Sequence, residues 1–413
     1  MEKQSEPYFK KSSCSYCGDA QVSHALFYFD SLISSVLEPH ILSVSRRAPG
    51  FLKELADWLP IFTFKTFALL RLAHFSEDIS KAKTFRSKVA WEEALRRGIR
   101  MEQLILWGKP MEYYRAFLPE KNKGGEQTKE IFFQSLPIPP KHLELTADWD
   151  NKFILKEEFQ KHNIPVPSYF PLPLFSGEDL PRIFEQMDKP IIVKPKLGSR
   201  GRHTVTDIRT LAQMEDAVKI GRALSPYLIV EEHLHGYVCR ATLVGGKLAG
   251  FYRGEAPAVT GDGEKTVREL IEEKDKHRHE RVEPITIGEE LESHIGRQGF
   301  GLDDVPERGF KLSLSHRVGR LFGGATREML DELDPSFVPI FEKAVRITGL
   351  AVAGFDCIVP DPTKPAHSQK WGIIECNTLP YIDLHYYALE GKPKNIAGMV
   401  WDLWEEKLPN GQQ

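Results

Sequence analysis

Cysteine is scarce in this chain, with five residues among 413. A low and odd count excludes a disulfide-built framework and suits a reducing compartment, so a cytoplasmic location is expected. No apolar run of the length that spans a bilayer, about 18 residues, is free of charge. The most hydrophobic stretch, residues 51–75, carries Lys53, Glu54, Asp57, Lys65 and Arg71. No membrane partner is expected. The opening MEKQSEPYFKKSSCSYC has neither the apolar core nor the small-residue cleavage site of a secretory leader, and none is expected. Neither sign of charge is in excess: 55 Lys plus Arg against 58 Asp plus Glu give a formal charge of -3. That balance offers no general attraction for a polyanion, so nucleic acid is not an expected partner. Repeats and low-complexity tracts are also missing.

The chain instead has the material for two or three packed cores, being 41% hydrophobic and 27% charged. Two parts are expected, residues 1–145 as an α/β domain of unknown role and residues 146–410 as a second, α+β domain. In the first, FLKELADWLPIFTFKTFALLRLAHF and SKVAWEEALRRGI read as amphipathic helices, the former broken by Pro60 and the latter stopped by Gly98. The aromatic stretch Trp58–Phe75 reads as core, with a dimer face as the alternative. QLILWG reads as a short strand, and Pro119–Lys129 as a surface loop ahead of the Pro-rich SLPIPPK.

Beyond residue 150 helices and strands alternate. NKFILKEEFQKH is helical and runs into the extended NIPVPSYFPLP. PIIVKPK reads as a buried strand followed by the loop GSRGRH, and YLIVEEHL as a strand. ATLVGGKLAGFYRG reads as two strands joined by a Gly245-Gly246 turn. AVAGFDCIV and WGIIECN are the last apolar strands.

Those last two strands carry the strongest chemical signal. A period of two places Ile373, Glu375 and Asn377 on one face and Ile374 and Cys376 on the other. Asp356 lies in an apolar strand, GFDCIV, expected to pair with WGIIECN. A carboxylate in such a run is costly unless a cation or a basic partner neutralises it, and three oxygen donors suit a hard cation such as Mg²⁺. Lys194 ends the strand PIIVK, and the loop after it carries Gly198, Ser199, Arg200, Gly201 and Arg202. Ammonium and exposed N–H groups of this kind can hold a polyphosphate, although glycine-and-arginine loops are also ordinary surface turns. Glu231 and Glu232 end another apolar strand, where backbone groups and a carboxylate can meet an adenine edge or ribose. A solvated acidic strand end is the plainer alternative.

Two further patterns are set aside. GDGEKT resembles part of a phosphate-binding P-loop, but Glu264 stands where glycine should precede the lysine, and the surroundings read as helix rather than strand. Cys14-Ser-Tyr-Cys17 with His24 is half a zinc site, with no second cysteine pair to complete it.

Taken in order, NKFILKEEFQKHNIPVP, PIIVKPKLGSRGRH, LIVEEHLHG, PAVTGDGEKTVRELIEEKD, GFDCIV and IIECNTLPYIDLHYYALEGKPKNIAG resemble the ATP-grasp superfamily. Within it they are most similar to the ATP-grasp domain of cyanophycin synthetase and related amino-acid ligases. The resemblance implies an α+β ATP-grasp fold, two α+β subdomains gripping ATP, preceded by the α/β amino-terminal domain. It places the phosphate-covering loop and adenine strand in 190–250 and the metal site in 310–398. Lys152, Lys194 and the loop Gly198–His203 would contact the nucleotide phosphates. Glu231, Glu232 and Leu234 would line the adenine and ribose slot, and Asp356, Glu375 and Asn377 would hold Mg²⁺, or Mn²⁺ in its place. Arg240 and Arg253 fall where relatives place arginines near phosphates or substrate.

The sequence departs from the pattern at three points. Val238 stands two positions after Gly236 where relatives have an acidic residue. GRLFGGAT keeps Gly323 and Gly324 but loses the asparagine of the usual loop, and Arg317 and Arg320 could supply positive charge there. Asp383 replaces a basic residue, which leaves the substrate open. The resemblance implies an ATP-dependent carboxylate–amine ligase working on small-molecule carboxylate and amine substrates, and leaves room for a homo-oligomer. A phosphotransferase and a nucleotide-binding module without turnover are the alternatives on the same fold.

Overall fold

The computed structural model describes residues 14–17, 21–34, 62, 66–67, 69–122, 125–140, 148–174, 179–198 and 201–405. The strands in chain order are β1 (Ala73–Ser76), β2 (Arg100–Leu106), β3 (Lys109–Asn122), β4 (Gly125–Gln134), β5 (Tyr169–Leu172), β6 (Ile191–Pro195), β7 (Val205–Ile208) and β8 (Leu228–Glu232). They continue as β9 (Tyr237–Val244), β10 (Lys247–Gly254), β11 (Ala258–Thr260), β12 (Lys311–Ser313), β13 (Thr326–Glu328), β14 (Val352–Val359) and β15 (Gly372–Asn377). The chain divides into two compact units, each of three segments: residues 1–35, 168–233 and 256–324, and residues 36–167, 234–255 and 325–413.

In the first unit an antiparallel sheet runs β5-β8-β6-β7. Ile191, Val193, Leu228 and Val230 bury one face with side chains from helices Leu180–Gln186 and Leu211–Arg222. The second of these helices starts on a reciprocal capping box between Thr210 and Gln213, which satisfies two otherwise orphaned backbone donors. The pair β11–β12 forms a smaller core with helices Val267–Lys276 and Glu289–Gly296, built on Val259, Ile271, Ile295 and Leu312. A strand does precede the GDGEKT turn, contrary to the helical surroundings read from sequence. The turn is nevertheless filled by its own acid, since the Asp262 carboxylate accepts from the Glu264 and Lys265 N–H groups. Those are donors that a P-loop would offer to phosphate.

The CxxC element, read from sequence as half a zinc site, gains a fourth potential ligand. Cys14, Cys17, His24 and His203 place one ligand atom each within 4.8 Å of one another. The fourth member lies 186 residues after Cys17, a separation at which local spacing carries no signal.

The second unit holds an antiparallel sheet ordered β13-β10-β9-β14-β15. Gly245 and Gly246 turn β9 into β10 with φ of +57° and +79°, a two-residue hairpin conformation that glycine adopts without steric cost. Phe251, Phe355 and Cys357 join Phe159 of helix Lys152–Lys161 and Phe341 of helix Val338–Thr348 in one core. A second sheet, β1-β2-β3-β4, packs Tyr114 and Phe133 with Trp91 of helix Phe85–Arg96 and with Trp401. Val89 and Leu136 also share a core with Val244, Val352 and Ile396, so segments from both ends of the sequence build this unit.

Three local expectations change. Ala73–Ser76, at the end of the first expected helix, is strand β1, paired with β2. Of Trp58–Phe75, residues 58–61, 63–65 and 68 lie outside the described residues, and Phe62, Leu69 and Leu70 are exposed. The expected loop Pro119–Lys129 continues β3 and β4, with Pro119 opposite Thr128 and Asn122 opposite Gly125. Ladder hydrogen bonds come from the backbone, so a polar ribbon can extend past the apolar part of a hairpin.

Candidate functional site

In the second unit, Asp356 on β14 lies directly opposite Glu375 on β15, and Arg240 on β9 lies opposite Asp356 from the other side. The Arg240 guanidinium donates from Nε and Nη2 to the two Asp356 oxygens, both at 2.7 Å. Burial alone would lower the pKa of that guanidinium, but the adjacent Asp356 carboxylate outweighs it and moves the pKa upward. Asn377 Nδ2 donates to Asp356 Oδ2 at 3.2 Å. The Lys152 ammonium stands 3.5 Å from the Glu375 carboxylate. The expected face is therefore present in its polar members.

The strict alternation expected for β15 is broken. The register slips between Asp356 and Cys357, where Glu375 and Ile373 are successive partners and Ile374 is the extra residue. Ile373 consequently joins Cys376 in the core, while Glu375 and Asn377 stay only partly buried. A bulge lets a strand bury apolar residues at an odd spacing while its last turn keeps the carboxylate face. Lys156, fully buried, donates to the Ile374 carbonyl at 3.2 Å and so meets the polar group of the bulged residue.

Sequence reasoning missed Asp150 beside this cluster. Its carboxylate accepts from the Thr378 hydroxyl at 3.0 Å, and burial holds its pKa above the usual carboxylate value. It lies just ahead of the helix capped by Asn151, in a stretch with no strand pattern to mark it. Also missed was His385, buried with its Nδ1 2.5 Å from Glu328 Oε2 and its Nε2 2.8 Å from Thr242 Oγ1. Glu328 also accepts from the backbone N–H groups of Phe251 and Leu330, so this network ties β10 and β13 together internally. Arg253 donates to Glu255 at 2.6 Å and lies over the Tyr237 ring. Leu234 is buried.

In the first unit, Lys194 at the end of β6 is buried and its ammonium is 2.8 Å from Glu231 Oε2 on neighbouring β8. Glu232, one residue on and facing the other way, accepts weakly from the Ser168 hydroxyl at 3.3 Å. Ser199 and Arg200 lie outside the described residues. Gly198 and Gly201, which flank them, have φ of +138° and +64°, backbone conformations that a side chain would strain. Arg317 is buried, 2.9 Å from Glu290, and donates to the Tyr16 carbonyl at 3.1 Å. Arg320 is buried at the start of the turn Arg320–Phe322.

The chain is similar to known proteins in sequence and in fold. A cyanophycin synthetase of Geminocystis herdmanii is 31% identical over 269 residues, which cover 63% of this chain and 30% of that protein. The bifunctional glutathione biosynthesis protein GshAB of Clostridium perfringens is 25% identical over 269 residues, covering 62% and 34%. The chain thus spans about a third of the length of these curated relatives. Among solved structures, a bifunctional glutathione synthetase from Pasteurella multocida matches 78% of this chain and 44% of its own, with a TM-score of 0.50 and 22% identity, a likeness of fold. No family model matches the sequence. No helix among the described residues is long and apolar enough to cross a membrane. In sequence the chain resembles these ligases over about three fifths of its length, and its fold is the α+β ATP-grasp fold.

Proposed function

We propose that the protein is an ATP-dependent ligase that joins a small-molecule carboxylate to an amine through an acyl phosphate. The observation that carries this reading is the cross-strand Asp356–Glu375 pair with Asn377 on the same face. Relatives named for cyanophycin and glutathione synthesis support substrates of amino-acid type. The donor set fits a hard cation. It is made of oxygens turned from the core, and Arg240 engages only part of the acceptor capacity of Asp356, whose carboxylate offers about four lone-pair sites. Asp356, Glu375 and Asn377 would hold Mg²⁺ or Mn²⁺, and the ion when bound would offset the negative charge of the nucleotide phosphates.

Lys152 and Lys194 are proposed to bind those phosphates, with Glu231, Glu232 and Leu234 holding adenine and ribose. An acceptor carboxylate oxygen attacks the γ-phosphorus and ADP leaves. The amine nitrogen then attacks the acyl carbon, the carbon–oxygen bond to phosphate breaks, and the nitrogen gives up a proton. Activation is needed because a free carboxylate repels a nucleophile and has no good leaving group. Glycines in the loop Gly198–His203 would let it cover the phosphates and keep water from the acyl phosphate. Arg253 and Arg320 are proposed to stabilise the transferred phosphoryl group. Arg317, already engaged by Glu290 and a carbonyl, is a positioning residue on this reading.

The test is incubation with Mg-ATP, amino acids or dipeptides, and hydroxylamine. Hydroxamate together with ADP is the expected result, and Asp356→Asn and Lys194→Met should each lower its rate at least about tenfold, the loss of one charged contact to the reacting groups. A stable phosphorylated acceptor without hydroxamate would instead assign a phosphotransferase. Nucleotide binding without ADP release across these substrates would overturn turnover altogether.

A further inference from the structure

We propose that Cys14, Cys17, His24 and His203 form a structural zinc site in the first unit. The distances suit one tetrahedral ion. Zn–S bonds near 2.3 Å and Zn–N bonds near 2.0–2.1 Å put sulfur and nitrogen ligands about 3.5 Å apart. The Cys14 Sγ to His203 Nε2 distance is 3.4 Å, Cys17 Sγ to His24 Nε2 is 3.2 Å, and Cys17 Sγ to His203 Nε2 is 3.6 Å. All four ligand atoms lie within 4.8 Å of one another.

The surrounding bonds orient the ligands as a metal requires. His203 Nδ1 is 2.6 Å from the Ile220 carbonyl. A carbonyl only accepts, so that nitrogen carries the proton and Nε2 presents its lone pair to the cluster. The Cys17 N–H donates to the Cys14 carbonyl at 3.1 Å, closing the turn that brings the two thiols to one side. Gln21 clasps the same turn from outside, accepting from the Cys14 N–H at 3.0 Å and donating to the Cys14 carbonyl at 2.9 Å. The Arg317 guanidinium and the His203 backbone N–H both donate to the Tyr16 carbonyl, at 3.1 Å each. Cys17 and His203 are buried, with 0% and 2% of their surface exposed. On binding, the two thiols lose their protons to solvent, and two thiolates balance the charge of Zn²⁺.

The consequence reaches the candidate nucleotide loop. His203 is the last residue of the segment Gly198–His203, so the ion would fix one end of that loop to the amino-terminal residues 14–24. The inference does not depend on the ligase reading, since it concerns metal content.

The experiment uses the full chain purified under reducing conditions, with metal measured by plasma mass spectrometry and by Co²⁺ substitution. About one zinc per chain is expected. Cobalt should give the intense visible bands of a tetrahedral ion and a thiolate-to-metal charge-transfer band. Cys17→Ser and His203→Ala should lose at least about nine-tenths of the metal, a loss matching removal of one of four ligands. His203→Cys, which restores a soft ligand, should retain it. Circular dichroism checks that each variant is folded. A folded, reduced wild-type chain that takes up neither zinc nor cobalt overturns the site. Equal zinc in wild type and His203→Ala overturns the assignment of the fourth ligand.

Discussion

Arg240→Met should be among the most damaging single substitutions in the second unit. The Arg240 and Asp356 side chains retain only 11% and 16% of their exposure and are joined by two 2.7 Å bonds. Removing one partner strands the other charge where water reaches it poorly, which costs about 3–5 kcal/mol for a buried pair. For a domain of 150–250 residues, roughly 2–4 °C of melting temperature goes with each kcal/mol, so a fall of about 6–20 °C is expected. Asp356→Leu should behave alike, for it leaves the guanidinium unpaired. The double variant Arg240→Met/Asp356→Leu should be more stable than either single one, because neither charge is then left without its counterpart. Scanning calorimetry of the four proteins, with a chelator present so that bound cations do not compensate, completes the cycle. If the singles melt within about 2 °C of wild type, or the double loses as much as the two singles summed, the pair is not the electrostatic unit described.

Acid should weaken the first unit through His294 and His316, whose pKa values burial drives down to about 4 and about 3. Their neutral forms are kept in the fold, so the stability they contribute is full above pH 6.5 and is lost as pH falls toward those values. Each contributes a slope of about 1.4 kcal/mol per pH unit in that window. The urea midpoint of the wild type should therefore fall more steeply on acidification than that of His316→Phe, and parallel curves would refute the assignment. Gly236→Ala should destabilise the second unit by about 1–3 kcal/mol or more, since its φ is +139° and an added Cβ would lie 2.5 Å from the Val359 carbonyl carbon. Unchanged chemical denaturation would contradict that. Glu328→Gln should cost about 1–3 kcal/mol by weakening the contact to buried His385, and amide exchange at Phe251 and Leu330 should quicken with it.

Much of the candidate site was legible because its signals are local. A carboxylate inside an apolar strand is conspicuous, and the spacing of Glu375 and Asn377 survives the bulge even though that of Ile373 does not. The Gly245-Gly246 turn was legible for the same reason, a short peptide whose permitted backbone is narrow. Partners brought in from elsewhere were not legible. Arg240 was noted as an arginine near the chemistry, but its bidentate grip on Asp356 depends on β9 lying beside β14. Asp150 has no surrounding period, and His203 reads as the tail of a glycine loop until it meets Cys14 and Cys17. The polar tips of β3 and β4 were missed because hydrophobic alternation stops before backbone pairing does.

The interleaving of segments bears on how a nascent chain emerges from the ribosome. Strands β9 and β10 sit inside their sheet, yet β14, which covers the far edge of β9, is made roughly a hundred residues later. Until then β9 offers an open row of amide and carbonyl groups to any neighbouring chain. Translation that stalls before Val352 would release a polypeptide with that row uncovered, and chaperone demand and inclusion-body formation should peak for such premature termini.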